Sequence, residues 1–145
     1  MVEKESQTLA NHTRLDPLFH FVALPIVGLT AIGGLIHLIF RPSFHSASFF
    51  ILAVVAVILL LKMRLYSLKV QDRVIRLEER LRLSALSPDA FRARIPELTE
   101  DQLIALRFAS DGEVVALAQR ALSEKLSRAD IKKAIRNWRP DYWRV

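Results

Sequence analysis

Cysteine is absent from this 145-residue chain. That excludes disulfides, zinc–thiolate sites and a cysteine nucleophile, and leaves the redox compartment unread. Charge is nearly absent from one long stretch: between Pro17 and Leu61 the only charged residue is Arg41. Glycine and proline are missing from Ala47 to Leu86, so nothing there interrupts a helix. There is no glycine-rich phosphate loop, no serine elbow, no His-Glu-x-x-His and no pair of carboxylates within the apolar stretch. Without such a constellation no enzyme activity is expected, and no cofactor is called for.

What is present is sharply segregated. The chain is 52% hydrophobic and 25% charged, with a mean hydropathy of +0.24. This is the composition of a membrane anchor joined to a water-soluble part. Between Asp16 and Arg41 lie 24 uncharged residues, 14 of them Leu, Ile, Val or Phe. As a helix they reach roughly 36 Å, more than the ~30 Å hydrocarbon core of a bilayer. Between Arg41 and Lys62 lie 20 more. A signal peptide does not fit, because Glu3, Glu5 and Asp16 precede the apolar region, no small-residue cleavage site follows a short core, and a second apolar run comes after it.

The expected fold is therefore an all-α membrane protein. It has a cytoplasmic N-terminal tail at 1–16 and a transmembrane hairpin at 17–62, with spans at about 17–40 and 46–62. The second span continues into an amphipathic helical stalk at 63–86, followed by a small array of short helices at 87–145. Arg14, Arg41, Lys62, Arg64 and Tyr66 flank the spans as membrane-interface anchors. The loop between the spans carries one Arg, whereas Lys62, Arg64, Lys69, Arg73, Arg76, Arg80 and Arg82 follow the second span and Lys4 and Arg14 precede the first. The positive-inside rule then puts both termini in the cytoplasm. Pro25 is expected to kink the first span. Thr30 and Gly34, four apart, offer a small-residue face that Ala53 and Ala56 could meet across the hairpin.

Beyond the second span, Val70, Val74, Leu77 and Leu81 recur at spacings of 4, 3 and 4, which is a heptad seam. It is flanked by Leu68, Ile75 and Leu83, with Asp72–Arg76 and Glu78–Arg82 as oriented i, i+4 pairs. This interaction stripe could pack on the C-terminal helices, on a second copy, or on the membrane surface. Leu86-Ser87-Pro88-Asp89 predicts a short helix with proline at its first position, ending at Ile95 before Pro96. Thr99…Gln102, Ser110…Glu113 and Ser127…Asp130 are capping patterns that predict helices at about 100–109, 112–126 and 128–138. Their apolar faces carry Leu103, Ile104, Phe108, Val114, Val115, Leu117, Ala118, Leu122, Leu126, Ile131, Ile135 and Trp138. Fifty residues make a marginal core, to be completed by the long helix or by a partner.

The net charge of +6 admits nucleic acid or anionic lipid as a partner. Residues 87–145 hold 11 basic and 9 acidic side chains, however, so no one-sided phosphate-binding field exists and no nucleic acid is expected. His20 and His37 are weak candidates for meeting a cofactor. They lie 17 residues apart, roughly 25 Å along a helix, and cannot share a metal within one chain. His37 and His45 could approach one another, but two imidazoles without a carboxylate make a poor site.

Four stretches carry a family resemblance: Asn11 to His20, Leu65 to Arg82, Leu98 to Asp111 and Trp138 to Val145. In these the chain resembles a family of small bacterial membrane proteins classed as a domain of unknown function. The resemblance implies a multi-pass protein of the bacterial inner membrane and transfers no activity or site. The functional expectation is an anchor that presents a helical protein-interaction module to itself or to another membrane protein. The alternative is an accessory subunit of a larger membrane complex, including a redox complex.

Overall fold

The computed structural model describes residues 8–9 and 15–141, and all its regular elements are helical. Their order is a π-helical segment Leu18–Ala23, α1 Leu24–Phe40, α2 Phe44–Leu86, α3 Asp89–Arg92, a 3₁₀ turn Ile95–Glu97, α4 Glu100–Leu106, α5 Asp111–Ser123 and α6 Arg128–Ala134. The chain divides into two compact units, one over Leu15–Lys69 and one from Val70 onward; α2 contributes to both.

In the first unit, Asp16 starts the helix. Its Oδ1 accepts from the backbone N–H groups of Leu18 and Phe19 at 3.1 and 3.2 Å, satisfying two orphan donors. Pro25 is the second residue of α1 and follows the π-helical turn directly. The Leu24 N–H reaches back five residues to the Phe19 carbonyl. A wider turn at this point accommodates a residue that has no N–H to donate and whose ring crowds the preceding turn.

α2 starts at Phe44, earlier than the expected 46. Ser43 and Ser46 form a reciprocal cap: the Ser46 N–H donates to Ser43 Oγ at 3.1 Å and the Ser43 N–H to Ser46 Oγ at 2.9 Å. Ser46 Oγ lies 2.9 Å from the Arg41 carbonyl and is buried. A serine replaces the usual Glu or Gln of such a box, which hides it from pattern reading. Between the two helices Gly34 is the close-approach point. A Cβ there would lie 3.2 Å from the Phe49 ring and 3.4 Å from the Phe50 Cα. Gly34 and Ala53 are buried as expected, but Thr30 and Ala56 are exposed, and the Thr30 hydroxyl donates to the Ile26 carbonyl of its own helix.

In the second unit the core gathers Leu83 of α2, Phe91, Ile95 and Leu98 with Leu103, Leu106, Phe108, Val114, Leu117, Ala118, Ala121, Ile131 and Ile135. Val115, Leu122, Leu126 and Trp138 pack partly buried against it. The long helix thus completes the array with Leu83. Gln102 locks α4 in place. Its Oε1 accepts from the Thr99 N–H at 3.0 Å, and its Nε2 donates to the carbonyls of Ala121 and Leu126 at 2.9 and 3.2 Å. Every polar atom of this buried amide is therefore used.

The predicted helices are shortened for identifiable reasons. Pro88 is the N-cap of α3 rather than its first residue, and Pro96 sits inside a 3₁₀ turn instead of ending a helix. α5 stops at Ser123 because Lys125 takes φ +51°, and the Leu126 N–H then closes on the Ala121 carbonyl at 3.1 Å. This is a Schellman closure with lysine where glycine is usual. α6 ends at Ala134 because the residues after it are claimed elsewhere. The Arg136 and Asn137 N–H groups donate to Glu113, the Asn137 carbonyl accepts from the Ser110 N–H at 3.0 Å, and the Arg139 N–H donates to the Phe108 carbonyl at 2.7 Å. Glu113 thereby leaves the expected box with Ser110, which makes no side-chain cap.

Candidate interaction surface

α2 presents two opposite faces within the second unit. Ile75, Glu79 and Leu83 recur every four residues, and all three are buried, with Leu83 in the core of the helical array and Glu79 beside Arg139. Val70, Val74, Leu77 and Leu81 lie on the other side and are 62, 49, 60 and 64% exposed. At 100° per residue the seam is centred about 180° from Glu79. The stripe therefore does not pack on the C-terminal helices of its own chain. The flanking residue Leu83 does so instead, and Ile75 is buried on the same side of α2.

Charged side chains hold the inner face to the array. Arg82 Nη1 is 3.0 Å from Glu79 Oε2, its Nε donates to Asp111 Oδ1 at 2.7 Å, and its Nη2 donates to the Ala109 carbonyl at 2.7 Å. Arg139 reaches the other Glu79 oxygen at 3.5 Å. Arg76 pairs with Glu100 and donates from Nε to the Asp72 carbonyl. The expected pairs Glu78–Arg82 and Asp72–Arg76 are thus not formed, because both arginines turn toward the array. No pattern in the sequence marks Arg82 as the clamp, since its partners at 109 and 111 are 27 and 29 residues away.

Glu79 is only 4% exposed. Burial pushes its carboxyl above the ordinary value of 4.5, and this outweighs the opposing pull of Arg82 and then Arg139. A groove of about 620 Å³ opens beside it, lined by Glu78, Glu79 and Asp141 as well as Arg82, Arg107 and Arg139. Three acids against three arginines leave it without a sign to select an anion or a cation.

The remaining candidates fall in the first unit. Arg41 is the C-cap of α1 and exposed; the Arg64 guanidinium lies over the Phe19 ring at 5.6 Å, and the Lys62 ammonium over Tyr66 at 5.9 Å. Arg14 lies outside the described residues. His20 Nδ1 donates to the Asp16 carbonyl at 2.8 Å, a bond within its own turn that accounts for its position without a ligand. His37 is seventeen residues on, near the C-terminal end of α1. Among the described residues no three His, Asp or Glu side chains gather as a metal site.

The fold and surface define an all-helical chain with two long apolar helices and a small helical module whose outer stripe is open. A family model described as a family of unknown function, DUF6526, matches residues 3–145, and the chain belongs to that family. No curated protein and no solved structure matches the chain.

Proposed function

We propose that this protein is an integral membrane protein of the bacterial inner membrane whose helical hairpin anchors a cytoplasmic interaction module. The observation that carries the reading is the inversion of burial between the two units. Leu, Ile, Val and Phe from Leu18 to Leu61 are mostly exposed, whereas the same residue types from Leu83 to Ile135 form a closed core. Contiguous apolar patches larger than a few hundred Å² are unusual on soluble monomers. A hairpin of two such helices far exceeds this, and a hydrocarbon phase removes the cost. A core helix of a soluble protein would be covered by other elements, and α1 buries only Gly34.

The ends of the hairpin support the same reading. Arg64 and Phe19 with Lys62 and Tyr66 gather cationic and aromatic groups at one end, as expected of an interfacial belt, while the other end has the exposed aromatics Phe40 and Phe44 with Arg41 as its one Lys or Arg. The asymmetry of basic residues orients both termini to the cytoplasm. The resemblance to small bacterial membrane proteins supports the inner-membrane setting.

The test is alkaline extraction of membranes together with thiol labelling. Because the chain has no native cysteine, Ser43→Cys and Ser84→Cys each carry a single thiol. The chain should stay in the alkaline pellet. An impermeant maleimide should label position 43 in intact spheroplasts and position 84 only after lysis. Release into the supernatant, or labelling in the reverse pattern, would overturn the reading.

A further inference from the structure

We propose that the outer stripe of α2 binds a second copy of this chain, as a short parallel two-stranded coiled coil in register. The proposal deepens the anchor reading and rests on it for the shared orientation of the two copies.

Spacing and exposure select the geometry. With Val74 and Leu81 at the a positions, Val70 and Leu77 fall at d, and all four are open. Within the central heptad, a β-branched valine at a with leucine at d is the order that favours two strands, whereas Val70 at d and Leu81 at a reverse it, so the charged flanks select the pairing. Glu79 takes the f position, farthest from the seam, and is the residue buried against the array. A partner helix can therefore lie on the seam without displacing anything the module needs.

Charge selects the partner and its direction. Arg73 falls at g and Glu78 at the following e position; both are exposed, and neither forms a salt bridge among the described residues. In a parallel in-register pair, g of one helix faces the next e of the other, so Arg73 meets Glu78 of the second copy twice by symmetry. An antiparallel pair sets g against g and brings Arg73 toward Arg80 of the second copy, which repels. The seam is complementary to itself in the one direction that two copies with a common membrane orientation can adopt. About two heptads is too short to hold strands together in dilute solution. Confinement to one membrane raises the effective concentration that such a weak contact requires.

The experiment is oxidative cross-linking of the full chain in native membranes. Val74→Cys and Leu77→Cys sit on the seam, and Lys69→Cys, at an exposed c position, is the control. With copper–phenanthroline the seam variants should give a covalent dimer roughly tenfold more than Lys69→Cys, because only facing a and d positions bring Cβ atoms within disulfide range. In the Leu77→Cys background, Arg73→Glu or Glu78→Arg should each reduce the dimer, and the two together should restore it. Equal cross-linking at Lys69 and Val74, no dimer at any position, an adduct of other than twice the chain mass, or failure of the double swap to restore would overturn the proposal. Alkaline extraction of the same membranes separates the two failures. A pelleted chain without cross-links sinks the dimer and leaves the anchor, whereas a released chain sinks the anchor.

Discussion

Leu29 and Leu103 are the same side chain in the same kind of helix, yet Leu29 is 68% exposed and Leu103 is fully buried. Phe44 and Phe108 repeat the contrast at 84% and 0%. One unit places its apolar side chains outward over two helices with a single glycine at the close approach. The other closes five short helical pieces around Phe108 with the help of α2. The difference lies in what covers the apolar side chains: the module covers its own, and the hairpin leaves most of its own uncovered by the described residues. Hydrophobicity alone does not say which side of a helix faces inward. The neighbours do.

The sharpest way to break the comparison is to make the same truncation in both units. Leu103→Ala should destabilise the module by about 2–5 kcal/mol, since it combines lost transfer energy with a cavity. Leu29→Ala should leave the module unchanged. Denaturant unfolding in mild detergent, followed by tryptophan fluorescence, reads both, because Trp138 stacks against Phe108 at 5.2 Å. Similar losses from the two variants would erase the distinction between the units. Next in size, Leu29→Arg should cost about 3 kcal/mol of membrane insertion, measured as the fraction of chain in the membrane pellet. A chain that folds in water would tolerate it and become more soluble.

Gln102→Leu should cost about 1–3 kcal/mol of module stability by leaving the Ala121 and Leu126 carbonyls and the Thr99 N–H without this partner. Lys125→Gly should raise stability by about 1 kcal/mol, because a left-handed backbone is strained for lysine and free for glycine. The same denaturation curves check both.

The smallest effect concerns pH. Glu79 has a folded-state pKa raised above 4.5, so the folded module holds this proton more tightly than the unfolded chain does. Its contribution to stability is therefore greatest below about 4.5. It falls as pH rises through the window up to the raised value, and is constant above it. Glu79→Gln should flatten that part of the stability–pH profile. An unchanged slope would show that burial does not dominate at this carboxyl.

Much of the helical content was legible because its signals are local. The charge gap around Arg41, the unbroken run from Ala47 to Leu86 and the Thr99…Gln102 box each act within a turn or a few turns of chain, and α1, α2 and α4 follow them. The ends of α5 and α6 were not legible, since partners 19 to 31 residues away take up the backbone groups there, as Gln102 does for the carbonyls of Ala121 and Leu126, Glu113 for the N–H groups of Arg136 and Asn137, and Phe108 for the N–H of Arg139. The interaction stripe was visible as a 4-3-4 spacing, but its exposure was not. Ile75 and Leu83 are as apolar as Val74 and Leu77, and it is the docking of one face of α2, with Leu83 in the core and Arg82 on Ala109 and Asp111, that leaves the other face outside.

By itself the order of residues determined where helices run and which stretches are hydrocarbon, because backbone hydrogen bonding and apolar periodicity depend on neighbours within a few turns. Tertiary structure alone decided which stripe of α2 is consumed by the module, where α5 and α6 stop, and that Glu79 is buried between two arginines. Those outcomes depend on competition among groups distant in the chain for the same donors, acceptors and apolar area, and such competition has no local signature.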